Sequence, residues 1–307
     1  MDQTDIQLTG FLVFPVALIG VIINWTALYI LRKSPAFRHS FGYLSSSQTI
    51  ADAINSTLFL IYFCPMVIWD IQLLKDYSLH CGFLLYMCFE ISVQTHFVIS
   101  INRWFAVWTP FKYAVWFSNR NTKRIITLIF IFSFSDTFVV SEVLCNFYYD
   151  PTAAFFSFTP TDFCDVIGIY DDLYKHLTII CTIVVIDIST IFKLQSVRKQ
   201  LVTSVDLQSS RVSKREINFL KQTVSQGAVF ALANISYYLV PMSTSNPWAV
   251  FFGTSFSWVT VDVLNGLILI VFNPEFKKFI VTRAISQQVS TGGALDSVIP
   301  KINTLVS

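Results

Sequence analysis

Charged residues are scarce in this chain, and their scarcity argues against an ordinary soluble fold. Asp, Glu, Lys and Arg make up 13% of its 307 residues, whereas soluble domains carry about 25%. Hydrophobic residues instead reach 54% and aromatic residues 16%. A chain with this balance has too little charge to cover a surface facing water. We therefore expect a lipid bilayer to be its main solvent.

Enzyme signatures are also missing. No nucleophile motif stands out, and no metal-ligand spacing joins the four histidines, which are His39, His80, His96 and His176. We therefore expect no catalytic residue and no cofactor, and no metal beyond a possible sodium ion. We also expect no nucleic-acid partner.

The apolar residues are gathered into long runs. A hydrocarbon core of ~30 Å needs about 20 helical residues, and runs of that length without alternation argue against a β-barrel. The second run has a polar first half, so it must face other helices rather than lipid. The sequence predicts an all-α membrane protein, a bundle of seven transmembrane helices. The predicted spans are residues 11–31, 41–69, 82–107, 125–145, 173–194, 217–240 and 248–272.

Basic residues are distributed unevenly between the loops. Of the 21 Lys and Arg residues, only Lys75 and Lys175 fall in segments that we place outside, which leaves 19 on the other side. Basic loops stay in the cytoplasm. We therefore expect multi-pass insertion in the plasma membrane, with the N-terminus extracellular and the C-terminus cytoplasmic.

The chain divides into three parts. Residues 1–10 are the predicted extracellular N-terminus, residues 11–282 the seven-helix domain and residues 283–307 a polar cytoplasmic tail. The first part carries Asp2 and Asp5 where a secretory signal needs positive charge. We therefore expect the first helix to act as the targeting element and to be retained.

An arginine lies at the cytoplasmic end of span three, in the stretch NRWFAVWTPFKY. This stretch resembles the Asp-Arg-Tyr region of rhodopsin-like G-protein-coupled receptors, with Asn102 and Trp104 in place of the outer two residues. The resemblance implies that Asn102, Arg103, Trp104 and Tyr113 hold and release a G-protein site. Because Asn102 cannot neutralise a charge, we expect Arg103 to pair with Glu216 at the base of span six, as in the ionic lock of some receptors.

A second family motif ends span seven, which reads NGLILIVFNPEFKK. Asn265, Asn273, Phe276 and Lys277 are in register with the rhodopsin-like pattern of Asn-Pro, Tyr, Asn, Phe and a basic residue. Gly266 stands in place of the Pro, and Leu269 in place of the Tyr. The resemblance implies a short interfacial helix after span seven.

Polar residues in the middle of the spans form a third constellation. By the same resemblance, Asn24, Asp52, Ser92, Asp262 and Asn265 would form a polar cluster like the sodium and water site of the family. An acid facing lipid costs roughly 3 kcal/mol or more, so Asp52 and Asp262 must avoid it. We expect the two acids to share one proton or to bind Na⁺.

Several longer blocks are similar to the nematode serpentine chemoreceptors of class x (Srx). They cover most of the chain at the expected spacing. The resemblance implies a G-protein-coupled chemosensory receptor that transmits the binding of an extracellular ligand to a heterotrimeric G protein. The blocks are SFGYLSSSQTIADAI, NRWFAVWTPFKY, FYYDP, KREINFLKQ and FNPEFKK.

The ligand pocket can be placed only by depth in the membrane. An aromatic chamber with few charges favours a small, fairly apolar, odorant-like ligand, or a peptide that grips the acidic outer loop. The residues expected to line it are Tyr86, Phe89, Glu90 and Gln94 on span three, and Ser255 and Trp258 on span seven.

Three of the six cysteines lie at the outer, oxidising face, where one disulfide is plausible. These are Cys81, Cys145 and Cys164. The resemblance implies the pairing Cys81–Cys164, which ties the top of span three to the second outer loop. The alternative, Cys145–Cys164, closes that loop on itself.

The main alternative function is a ligand-gated channel or a transporter. Transporters usually show repeated halves and paired Gly/Pro interruptions, and neither is visible. A seven-span channel of the insect odorant type would place the N-terminus inside, which the basic loops contradict.

Overall fold

A computed structural model of the protein describes the backbone of residues 1–202, 207–276 and 278–279, and the side chains of these except 197–202 and 207–216. The described residues form seven long helices, α1–α7. The predicted spans lie within them, apart from Trp69 and Cys145, each one residue beyond a helix end. The seven-helix bundle is therefore confirmed. The helices are Gln3–Lys33, Ser40–Ile68, Ser78–Trp108, Asn119–Leu144, Asp162–Ser196, Leu207–Ser243 and Pro247–Phe272.

Six of these helices are long and apolar enough to cross a membrane. The seventh, α6, begins with the charged stretch that contains KREINFLKQ and packs against α5 and α7. α1 begins at Gln3, where the side chain of Asp2 accepts a hydrogen bond from the backbone of Asp5. Most of residues 1–10 is therefore helical and continues the first span outwards.

α3 is the central helix of the bundle. In its most apolar 18-residue window 61% of the residues are buried, against 28% in α4. α4 instead presents Leu128, Ile131 and Phe132 on its exposed face, as a helix at the lipid boundary does. The polar first half of α2 packs against α3 and α1, and Ser45 and Gln48 are buried there. The expectation that this segment avoids lipid is confirmed.

A β-hairpin between α4 and α5 was not expected from the sequence. Its strands, β1 (Phe147–Asp150) and β2 (Phe155–Phe158), pair antiparallel with Phe147 opposite Phe158. Phe147, Tyr149 and Phe156 are buried in the same core as the outer ends of α2 and α3. Burial raises the pKa of the Tyr149 phenol well above its ordinary value. The hairpin therefore adds a largely aromatic lid to this end of the bundle.

The lid contacts several helices. The carbonyl oxygen of Phe147 lies so close to α3 that a Cβ at Gly82 would come within 2.2 Å of it. On the other side, the Tyr237 hydroxyl of α6 donates a hydrogen bond to the carbonyl oxygen of Phe156 at 2.6 Å. The lid therefore bridges the central helix and α6.

The disulfide joins Cys145 to Cys164, with Cα atoms 5.7 Å apart. Cys145 follows the last residue of α4 and Cys164 lies in the first turn of α5, so the bond closes the base of the hairpin loop. Cys81 is buried and free in the same core as Phe147. The pairing Cys81–Cys164 is therefore wrong for this chain, and the alternative pairing is the one present.

Four of the helices contain a π-helical turn. Such turns insert one extra residue per turn and are frequent at functional sites. In α2 the turn ends two residues before Pro65, which cannot donate a backbone hydrogen bond. The four turns are Phe59–Phe63 in α2, Val139–Leu144 in α4, Gly168–Tyr174 in α5 and Phe252–Phe256 in α7.

Helical residues follow α7 at 274–276 and 278–279, where the short interfacial helix is predicted. Asn273 accepts a hydrogen bond from the backbone of Glu275 at 3.2 Å. Phe276 is fully buried, with its ring centroid 5.3 Å from that of Phe37 in the first inner loop. Lys277 and the predicted tail at 283–307 lie outside the described residues.

Candidate functional site

The predicted coupling residues Asn102 and Tyr113 meet through a third residue, Ser40. The Asn102 amide donates to the Ser40 hydroxyl at 3.1 Å, and the Ser40 and Tyr113 hydroxyl oxygens lie 2.7 Å apart. Ser40 is the first residue of α2, and Tyr113 lies on the short helix Pro110–Trp116. The end of α3 is therefore joined both to α2 and to the loop that follows it. Sequence reasoning did not single out Ser40.

Arg103 is held between aromatic rings. Its guanidinium carbon lies 3.8 Å from the ring centroid of Phe41 on α2 and 4.0 Å from that of Phe219 on α6. A cation over an aromatic face at this distance is attracted by the partial negative charge of the ring's π-electrons. The side chain thus connects the ends of three helices. The predicted partner, Glu216, falls among residues whose side chains lie outside the described set, so the ionic lock stays a prediction.

Trp104 points towards α5 rather than towards Asn102. Its indole nitrogen donates to the Ser189 hydroxyl at 3.0 Å. Its ring stacks on Trp108 with centroids 5.9 Å apart. The four residues predicted to act together on α3 and its loop therefore divide into two groups, one facing α2 and one facing α5.

The predicted polar cluster lies where α1, α2, α3 and α7 meet. Ser92 donates to the Asp52 carboxylate at 2.6 Å, and Asn24 donates to the Asp262 carbonyl oxygen at 3.0 Å. Asn55, one turn after Asp52 on α2, donates to the Asp262 carboxylate at 3.4 Å. Both acids therefore lie at the interface of α2 and α7. Asn55 belongs to the cluster and was missed as a member.

Asn265 and Gly266 complete this region. The Gln226 amide of α6 donates to the Asn265 carbonyl oxygen at 3.2 Å. A Cβ at Gly266 would come within 2.4 Å of the Asn24 amide oxygen on α1. The glycine at this position therefore permits close contact between α1 and α7.

A cavity of about 40 Å³ lies beneath the hairpin lid. Typical small-molecule sites measure roughly 300–1,000 Å³, so wall side chains must move apart to admit a larger ligand. Of the six predicted pocket residues, Tyr86, Phe89 and Trp258 line the cavity. Its other aromatic walls are Phe147 of β1 and Tyr237 of α6.

Glu90, Gln94 and Ser255 do not line this cavity. The Glu90 carboxylate contacts Lys175 and His176 of α5, and Gln94 donates to Glu90 at 2.9 Å. On α7 the cavity is lined by Thr254 rather than Ser255. Both belong to the π-helical turn Phe252–Phe256, and its extra residue changes the face that each position presents. A depth count along a regular helix could not show this.

An ionic network surrounds α5 at residues 171–176. The Lys175 ammonium lies 2.9 Å from Glu90, 2.6 Å from Asp136 and 3.1 Å from Asp171. His176 lies 2.9 Å from Glu90 through Nε2 and 2.7 Å from Asp172 through Nδ1. The network thus joins α3, α4 and α5. Lys175, expected outside the membrane, is partly buried between these acids.

Sequence reasoning missed this network, although a signal for it was present. Asp171 and Lys175 are four residues apart, as are Asp172 and His176, and such pairs share a helix face. The extension of α5 back to Asp162 places all four residues on helix. Because span five was predicted to start at residue 173, the two aspartates were assigned to the loop and separated from Lys175 and His176.

The comparisons with known proteins cover nearly the whole chain. The family model "Serpentine type 7TM GPCR chemoreceptor Srx" matches residues 14–273. Two Caenorhabditis elegans proteins, "Serpentine receptor class X 45" and "Serpentine receptor class X-43", are each 25% identical in sequence to this chain. The first alignment covers 90% of this chain and 82% of the relative, and the second 91% and 89%.

Among solved structures, squid rhodopsin superposes with a TM-score of 0.74 over 100% of this chain and 87% of its own. The sequence identity is 14%. At this level the similarity shows that the two proteins share a fold, a seven-helix bundle, and carries no information about ligand.

Proposed function

The chain belongs to the Srx family of serpentine chemoreceptors, which are G-protein-coupled receptors, and we propose that it transmits the binding of an extracellular ligand to a heterotrimeric G protein. The observation that carries this proposal is the position of Arg103. It lies at the end of the central helix, between a ring of α2 and a ring of α6. A movement of α6 away from α3 would uncover it.

The orientation follows from the charge distribution. The end of the bundle that holds Arg103 is joined to the basic loops, which stay in the cytoplasm. The hairpin, the disulfide and the cavity lie at the other end. In the plasma membrane, the ligand would therefore bind beneath the lid from outside, and the G protein would dock beside Arg103 from inside.

The polar cluster links the two ends. Asp52 and Asp262 lie at the same helix interface, buried from water. Two carboxylates in one low-dielectric site do not both ionise without a counter-charge. The pair therefore shares a proton or binds Na⁺ in the resting receptor, and its neutralisation or emptying accompanies activation.

A G-protein biosensor tests the proposal before any ligand is known. Receptor is expressed in cells with a promiscuous Gα, and basal dissociation of Gα from Gβγ is measured by energy transfer. Arg103→Ala should reduce the basal signal to that of empty cells at equal surface level. Lys112→Ala, which removes a charge from the same cytoplasmic region, is the control and should keep the signal.

The opposite outcome would point to another function. A signal that is the same in Arg103→Ala and in the unchanged receptor argues against coupling at this site. If membrane currents appear instead in cells that lack Gα subunits, the protein acts as a channel.

A further inference from the structure

The cavity has walls that suit a positive charge. Five aromatic rings, those of Tyr86, Phe89, Phe147, Tyr237 and Trp258, line it. Trp258 makes contacts with three of the others at centroid distances of 5.9 to 6.4 Å. Aromatic faces attract organic cations, most strongly where water is excluded. Asp172 is the acidic residue among the lining side chains, and it is mostly buried.

The ionic network next to the cavity carries excess negative charge. Each ring nitrogen of His176 lies within 2.9 Å of a carboxylate oxygen. Carboxylates on both sides of the ring stabilise a positive charge on it. Lys175 and His176 then supply two positive charges against four acids, Glu90, Asp136, Asp171 and Asp172, within the described residues. Two negative charges are left over.

Three side chains at the cavity have hydrogen-bonding atoms that are still unused. Asp172 receives the Tyr238 hydroxyl at 2.5 Å and contacts His176, which leaves acceptor sites on its oxygens. The amide oxygen of Asn234, a residue only 4% exposed, has no hydrogen-bond partner among the described residues. The Trp258 indole nitrogen is a buried donor that likewise lacks a described acceptor. Buried polar atoms without partners are costly, so a ligand that satisfies them gains affinity.

Two of the π-helical turns bear on this cavity. Asp172 lies in the turn Gly168–Tyr174 and Thr254 in the turn Phe252–Phe256. Such turns are enriched at functional sites because they turn side chains out of the regular helical register. The acid and the α7 wall are therefore both presented by irregular helix.

We infer that the ligand of this cavity is a small organic amine in its protonated form that also carries a hydrogen-bond acceptor. The ammonium group lies against the aromatic walls and donates to Asp172 and to the Asn234 amide oxygen. The acceptor receives the Trp258 indole hydrogen. This deepens the proposed function, on which it rests, by naming the chemical class of the ligand, and it replaces the expectation of a fairly apolar odorant.

Matched probes test the charge directly on the purified full-length receptor. Tyramine, 4-ethylphenol and 4-hydroxyphenylacetate share an aromatic ring and differ in being cationic, neutral and anionic. Ethanolamine, ethylene glycol and glycolate form a smaller set with the same three charges. Thermal unfolding is followed in nanodiscs, which contain no G protein. We expect a cationic probe of at least one set to raise the melting temperature, and its neutral and anionic counterparts to leave it unchanged.

Variants then locate the site. Asp172→Asn should weaken binding of the stabilising amine about 10- to 100-fold, as expected for the loss of a charged hydrogen-bond partner. Asp165→Asn is the matched control, since Asp165 is an exposed acid of the same helix that belongs neither to the network nor to the cavity lining. It should change binding less than about threefold. Should Asp172→Asn fail to fold, Asn234→Leu and Trp258→Phe test the same site without removing a charge, and each should weaken binding.

Three results would overturn the inference. They are stabilisation by neutral or anionic probes equal to that by amines, no stabilisation by either amine, and equal losses of binding in the variants at Asp165 and Asp172. Because this assay contains no G protein, a receptor that binds amines and fails in the biosensor would contradict the coupling alone.

Discussion

Arg103 and Lys175 each bring a positive charge into the bundle. Arg103 lies against the rings of Phe41 and Phe219, whose faces attract a cation. Lys175 lies among three carboxylates. Removing one partner of a buried ion pair costs about 3–5 kcal/mol. The lysine site is therefore suited to holding α3, α4 and α5 together.

At the residue scale, the first prediction concerns Glu216. If it pairs with Arg103 in the resting receptor, Glu216→Ala should raise ligand-independent signalling several-fold, because the resting state loses an interaction that the active state lacks. The biosensor described above measures this at equal surface expression. Glu142→Ala, at the other end of the bundle, serves as the control. Basal activity that stays at the original level in Glu216→Ala would contradict the predicted ion pair between Arg103 and Glu216.

The second prediction concerns the paired acids. Asp52→Asn keeps the hydrogen bond from Ser92 and removes a charge, so folding should be largely preserved. Agonist binding should persist while signalling is lost, and any effect of sodium on agonist affinity should vanish. Radioligand or thermal-shift binding in sodium and in potassium buffers provides the measurement. If Asp52→Asn and Asp262→Asn both signal normally with the sodium and pH response intact, the acids act only in packing.

At the element scale, the hairpin lid determines which cysteines matter. The bond between Cys145 and Cys164 closes a loop of about 20 residues, which is worth about 3 kcal/mol in the chain-entropy view. It connects the end of α4 to the start of α5, and the ionic network begins at Asp171, about two turns further along α5. The lid, the disulfide and the network therefore form one continuous structure.

The third prediction follows from this arrangement. Cys145→Ser and Cys164→Ser should each reduce surface expression, and the double variant should be no worse than either alone, because each change breaks the same bond. Cys81→Ser should be nearly silent by comparison. Flow cytometry of an epitope-tagged receptor measures all four. A loss on changing Cys81 that matches the loss on changing Cys164 would contradict the observed pairing.

The elements also show what the sequence could and could not predict. Six of the spans were predictable because each is an apolar run of membrane length, and the buried polar half of α2 was predictable because lipid excludes Ser45 and Gln48. The hairpin was not, since strands of four residues are too short to be distinguished from an irregular loop. The position of Thr254 in the cavity was also hidden, because a π-helical turn leaves no periodic signal.

At the scale of the whole molecule, the bundle divides into two ends with different chemistry. The described residues around Asp172 are acidic and aromatic, while the loops beside Arg103 are basic. The charge bias between loops predicts from sequence alone which end faces the cytoplasm. The pairs that cross between helices, such as Glu90 with His176, could not be predicted, because contacts between distant segments depend on how the helices rotate.

The fourth prediction concerns this polarity. An epitope fused before Met1 should bind antibody on intact cells, and an epitope after Ser307 should bind only after permeabilisation. The reason is that the basic loops remain in the cytoplasm. Paired staining with and without detergent measures both. Staining of the C-terminal tag alone on intact cells would show the opposite orientation. The ends assigned to ligand and G protein would then be exchanged.

The lid also bears on the time course of sensing. It rests on α3 and α6 and places Phe147 in the cavity wall, and the N-terminal amino group lies 3.3 Å from the Thr152 carbonyl oxygen in its turn. A ligand held beneath such a cover leaves only as fast as the cover opens. We therefore expect long occupancy after each encounter. A cell that carries this receptor would then respond to the accumulated exposure of the preceding interval and would smooth out brief fluctuations in its surroundings.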